Sequence, residues 1–131
     1  MTVGDEADRW LEELRHRRWT LHFYPDRRTP ELIGEVFEWK ANKCADVVIL
    51  RGHDNAVAYR MPMHDKADVF APEWVTWWWA QDDHPNAAAW TLRAVLSLAP
   101  PSPDDQAQLC TAPWFCHIPT EQRRPVTIRP T

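Results

Sequence analysis

Apolar residues recur at helical spacing in the first stretch of the chain: Ala7, Trp10, Leu11 and Leu14, with Arg18, share one side of the repeat. Asp5, Glu6 and Asp8 stand at the positive end of the helix dipole, and Arg15, Arg17 and Arg18 at the negative end. This spacing predicts an amphipathic helix. Residues 19–24 (Trp-Thr-Leu-His-Phe-Tyr) then alternate in β-favouring types, and Pro25-Asp26 closes them as a turn, so a strand is expected. Thr29-Pro30-Glu31 has the chemistry of a helix start, and Leu32, Ile33, Val36, Phe37 and Lys40 mark one face of a second helix. A strand through the same residues is the alternative.

Asp46 to Arg51 is a nearly unbroken β-branched run, which predicts a buried central strand. Gly52-His53-Asp54-Asn55 supplies turn chemistry, and Ala56 to Met61 returns as the hairpin mate until Pro62 ends it. Met63 to Ala71 is polar and aperiodic, hence a loop. Trp74 to Ala80 is strand-like in residue type, although Ala71-Pro72-Glu73 resembles a helix start. After a turn at 81–86, Trp90, Leu92, Ala94, Leu96 and Leu98 alternate with Thr91, Arg93, Val95 and Ser97. That favours another strand, while the three alanines before Trp90 leave a helix open.

Together these elements predict a single α+β domain: an antiparallel sheet of about five strands, two helices on one of its faces, and a Pro-rich extended C-terminal tail. The order resembles small cone-shaped α+β folds that serve ligand-binding proteins and enzymes alike, a likeness of fold that supplies no function. Pro100, Pro101, Pro103, Pro113, Pro119, Pro125 and Pro130 exclude a long helix or a central strand beyond Leu98. The expected division is therefore a core over 1–98 and a segment over 99–131. Leu109, Trp114, Phe115, Ile118, Val126 and Ile128 make that segment too apolar for a free linker, so it should pack on the core. Its stretch from Arg123 to Arg129 is expected to add an edge strand whose arginines discourage further pairing.

A length of 131 residues suits one core. The net charge of -4 argues against nucleic-acid binding, which needs a basic footprint. No apolar run approaches a membrane span, and the N-terminus has acids where a signal peptide would be basic, so a cytoplasmic protein is expected. Cys44, Cys110 and Cys116 are an odd count without a disulfide framework, which fits reduced thiols. Arginine far exceeds lysine, and alanine, proline and tryptophan are plentiful, the usage of a GC-rich bacterial genome.

Nine tryptophans in so short a chain change the picture most. On a strand, Trp77 and Trp79 share one face while Trp74, Thr76 and Trp78 share the other; on a helix, Trp74, Trp77 and Trp78 cluster and Trp79 diverges. Either way an indole must lie against something besides the core. If the strands follow one another, Tyr59 and Arg60 flank the block on one side and Arg93 on the other, where guanidinium and indole can stack. Trp, Tyr and Arg are also the residues most enriched in interface hot spots.

Other constellations are weaker. Cys110, Cys116 and His117, with Cys44 or His84, offer zinc-type ligands, but the six-residue cysteine spacing is not that of a structural zinc site. No metal or cofactor is expected. His53-Asp54 and His64-Asp65 each set a base beside an acid, yet sequence neighbours rarely face each other, and both read as turn or loop. Three glycines leave no phosphate-cradling loop. No catalytic residue is assigned. The expected role is a noncatalytic interaction module of a bacterial cytoplasmic system, binding a protein partner or a second copy through Trp74, Trp77, Trp78 and Trp79. Tyr59, Arg60, Arg93 and His22 are its polar contacts. One alternative is a small-molecule-binding protein or small enzyme with a Trp-lined pocket for an aromatic or planar ligand; the other is purely structural use of the tryptophans.

Overall fold

The computed structural model of the protein describes residues 3–102, 108–119 and 125–130. Its order is α1 (Asp5–His16), β1 (Thr20–Tyr24), β2 (Leu32–Trp39), β3 (Cys44–Gly52), β4 (Asn55–Pro62), β5 (Trp74–Val75), β6 (Trp77–Asp82), α2 (Ala87–Leu96), β7 (Cys110–Thr111) and β8 (Val126–Ile128). Six strands form one antiparallel sheet in the order β6-β4-β3-β2-β1-β8, and β5 and β7 make a separate two-residue ladder. The chain is a single α+β domain, as its patterning predicts.

Helix α1 ends without glycine. Arg18 takes the left-handed conformation at φ 69°, the Trp19 N–H donates to the Leu14 carbonyl at 3.0 Å, and the Arg18 N–H donates to Arg15. This is the Schellman closure, with Leu14 and Trp19 supplying its apolar contact inside the core.

Two assignments change. Of residues 29–40, expected as a helix, Leu32–Trp39 form β2, because β1 and β3 claim ladder positions along both of its edges, from Leu32 to Val36 and from Ile33 to Trp39. Gly34 fits that role closely: an added Cβ would lie 2.7 Å from the Phe70 ring. Of residues 90–98, expected as a strand, Trp90–Leu96 belong instead to α2, which buries Ala87, Thr91 and Val95 along one stripe and Ala88 and Leu92 along the next. The tip of the β3–β4 hairpin meets the start of this helix. The His53 carbonyl accepts from the Ala88 N–H at 3.0 Å, satisfying one of the donors that a helix N-terminus leaves without intrahelical partners. A sixth strand, β8, pairs with β1 at Leu21, His22 and Phe23. Arg123 and Arg124, expected in that strand, lie outside the described residues.

Strand alternation divides the core in two. Leu21, Phe23, Ile33, Val48, Leu50, Ala56 and Ala58 face α1 and α2. Tyr24, Leu32, Val47, Ile49, Val57, Tyr59 and Met61 face the other way, under Phe70, Val75, Cys116 and Ile118. The second face is thus covered by the segment between β4 and β6 and by residues near β7. The Ile118 N–H donates to the Phe70 carbonyl at 2.8 Å and ties these two covering segments together.

Candidate interaction surface at the sheet edge

Strand β6 pairs with β4 from Trp77 opposite Arg60 to Asp82 opposite Asn55. Its other edge carries no backbone hydrogen bond among the described residues. Every second residue of an antiparallel strand turns its N–H and C=O away from a given neighbour, so half of β6 directs these groups outward. The strand has no lysine, proline or bulge to discourage pairing; its one charge, Asp82, stands at the end and accepts from the Asn55 amide at 3.0 Å.

The three consecutive indoles go to two faces, as strand geometry requires. Trp77 and Trp79 lie on the helix side, where Trp77 packs half-buried on the core. Trp79 borders an open groove of about 480 Å³ with Gln81, Trp90, Arg93, Ala94 and Ser97. Trp78 lies on the opposite side and meets the Phe115 ring edge-on at 5.5 Å. Beyond it, Trp114, Phe115, Ala80, Gln81, Asp82 and Arg51 contribute to a second groove of about 380 Å³. Exposure is 45% at Trp74, 45% at Trp78, 38% at Trp79, 37% at Trp90 and 82% at Trp114. These are five of the seven large apolar side chains exposed among the described residues; the others are Leu109 and Val126.

The eight residues singled out in the sequence do not form one site. Trp74, Trp78 and Trp79 are at the surface, and Arg93 joins Trp79 at the groove, from a helix and not from a strand. Tyr59 and Arg60 are corrected as surface contacts, because both are buried and committed internally. The Tyr59 hydroxyl donates to the Val69 carbonyl and lies 3.2 Å from the Cys116 carbonyl oxygen. Arg60 holds Asp46 through two bonds of 2.6 and 3.0 Å. His22 sits across the sheet, 3.0 Å from the Thr127 hydroxyl and edge-on to Phe70. Burial first and the Arg129 charge second lower its pKa below the ordinary 6.5, so at neutral pH it is an uncharged bridge between β1 and β8.

Trp90 was missed because its segment reads as a strand. On a helix, Trp90, Arg93, Ala94 and Ser97 fall on one stripe, and that stripe is the groove wall. His84 supports it, its ring centroid 4.1 Å from that of Trp90. Trp114 had only its tail position to mark it.

Elsewhere the polar groups serve structure. Burial pushes the Cys116 thiol up to about 12, which leaves it unreactive near neutral pH. The neighbouring His117 imidazole donates to the Pro72 carbonyl at 2.9 Å. Among the described residues no three His, Cys, Asp or Glu side chains are placed to hold a metal ion. No helix among them is long and apolar enough to cross a membrane. No protein-family model, curated protein or solved structure gives a match to this chain.

Proposed function

We propose that the protein is a noncatalytic interaction module that holds another polypeptide along β6, with the indoles on either side of that strand as anchors. One observation carries this reading: exposed tryptophans gather around an unpaired strand edge. Each half of that combination is costly alone. An unpaired edge invites any extended chain, and natural sheets usually protect it. Exposed indoles are large apolar surfaces that contribute most when a partner covers them. An added strand would satisfy the outward N–H and C=O groups and bury the rings in the same step.

Trp78→Ala and Trp79→Ala test it. Each is expected to weaken association by at least about 2 kcal/mol, roughly 30-fold, as a hot spot does, with thermal unfolding nearly unchanged. Association is read by sedimentation and by binding to partners captured from the native host. Unaltered association in both variants counts against the reading.

A second reading, a small planar ligand, draws on the groove of about 380 Å³ beside Trp114 and Phe115, a size within the range of ligand sites. Its polar lining is Arg51, Asn55, Gln81 and Asp82, so Tyr59, Arg60 and His22 have no part in it. The native mass of protein taken from its host separates the two: bound small molecule favours the groove, and added polypeptide mass favours the edge.

A further inference from the structure

The open edge of β6 carries a pattern that bears on what it pairs with. We propose that the polypeptide held there is a second copy of this chain, its β6 antiparallel to the first about a two-fold axis through Trp79. This rests on the interaction reading above and commits it to one occupant.

Symmetry restricts the registers. A two-fold axis normal to a sheet keeps each face on its own side, and residues opposite one another across an antiparallel pair share a face. Only positions whose numbers sum to an even value can then meet. The two registers nearest the middle of β6 place the axis at Trp79 or at Ala80; the first sets Trp79 against its own copy, Trp78 against Ala80 and Trp77 against Gln81. Trp79 is the exposed indole on the helix face of β6, so the axis brings two such rings together with Trp90 beside each.

Charge agrees with this register. Asp82, the strand's one charge, falls opposite Thr76 of the second copy and never opposite itself. Like charges directly across a ladder would oppose pairing, and none meet here.

Exposed area approaches what such a pair needs. At roughly 150 to 250 Å² for a whole indole, the exposed fractions of Trp74, Trp78, Trp79, Trp90 and Trp114 leave roughly 400 to 600 Å² in solvent. The strand edge between them adds to this, against about 800 Å² per partner in a typical stable interface. The opposite edge of the sheet lacks these features. There β8 is three residues long and is followed by Arg129 and Pro130, which resist pairing.

The test uses the whole chain. Sedimentation or light scattering should give twice the 15.4 kDa protomer mass at micromolar concentration. The register is read with cysteines in a Cys110→Ser background, since Cys44 and Cys116 are buried. Trp79→Cys, oxidised mildly at about 100 μM protein to offset the roughly 30-fold weaker association expected on losing the indole, should form a disulfide-linked dimer, because residues facing each other across a ladder lie within disulfide reach. Gln81→Cys should not, because its copy would lie four residues along the strand, about 14 Å away. Cross-linking at 81 without cross-linking at 79 overturns the register. A 15.4 kDa monomer at about 100 μM overturns self-pairing. If that monomer still binds a foreign protein and loses it in Trp78→Ala, the interaction reading survives alone; if it binds nothing, both fall.

Discussion

The two faces of the sheet are closed by different means. The helix face is covered by α1 and α2, whose backbones satisfy most of their own hydrogen bonds, so contact there is side chain against side chain. Its polar groups must therefore find one another or go without. Asp46 accepts from Arg60 and from the Trp39 indole N–H at 2.9 Å, and Arg60 lies over the Trp39 ring. Glu35, on the neighbouring strand, is fully buried with no hydrogen-bond partner at either carboxylate oxygen among the described residues. The other face is covered by irregular chain, whose peptide groups need partners that regular structure would have supplied. There the polar side chains rising from the sheet act as staples. Tyr59 reaches Val69 and Cys116, and Arg51 donates to the carbonyls of Phe115 at 3.2 Å and His117 at 3.1 Å. Asp46 and Arg60 on one face pair side chain with side chain, and Tyr59 and Arg51 on the other complete backbones, with His22 and Thr127 a side-chain pair at the β8 edge of that face.

The sharpest way to break this contrast is Asp46→Ala, which takes from the buried Arg60 guanidinium the carboxylate that accepts two of its hydrogen bonds. Unfolding in urea should show a loss of about 3 to 5 kcal/mol, and Asp46→Ala with Arg60→Met should recover most of it, because an apolar pair needs no counter-ion. Recovery is not expected on the other face. Tyr59→Phe keeps the ring and removes only the staple, leaving buried carbonyls short of a donor at a cost of about 1 to 3 kcal/mol. The covering segments should loosen first, read as faster amide exchange at Ile118 and Ala112, whose N–H groups bond to Phe70 and Glu73.

Glu35 gives the smallest effect near pH 4 and one that grows with pH. Burial raises its carboxyl well above the ordinary 4.5, and the opposing attraction of its own backbone N–H, which falls short of a hydrogen bond, is weaker. Between the unfolded and folded pKa values the native chain keeps a proton that the unfolded chain has released, so stability falls as pH rises, by up to about 1.4 kcal/mol per pH unit. Below the unfolded value that stability is fully present. Glu35→Gln should abolish this slope in thermal unfolding measured from pH 4 to 8, and an unchanged slope would assign the dependence to other groups.

Glu35 also shows why part of the fold was hidden. Placing Leu32, Ile33, Val36 and Phe37 on one helical stripe leaves Glu35 and Glu38 on the polar side, which a pattern rule prefers. The strand instead turns Glu35 inward, between Leu21 and Val48 on the flanking strands. In α2 the alternation of Trp90, Leu92 and Leu96 looked β-like, but Ala87, Ala88 and Ala89 are small enough to bring a helix against the sheet. The two exchanges leave the number of α-helices among the described residues at two while changing which segment is the second one. The candidate surface was half legible. Trp78 and Trp79 stand where an aromatic block on a strand would put them, whereas Trp74 lies on the separate β5–β7 ladder and Trp90, Arg93 and Trp114 come from a helix and a tail.

What residue order alone determined is local. The amphipathic first helix, the β3–β4 hairpin and the division of Trp77, Trp78 and Trp79 between two faces follow from spacing, turn chemistry and side-chain alternation, which operate within a few residues. Tertiary structure decided the rest: that 32–39 pairs on both sides, that 87–96 coils, that the second face is roofed by irregular chain, and that β6 remains an edge. Those outcomes depend on contacts between distant segments, where the hydrogen-bonding needs of one strand are met or left open by another, and no periodicity within a segment encodes its neighbours.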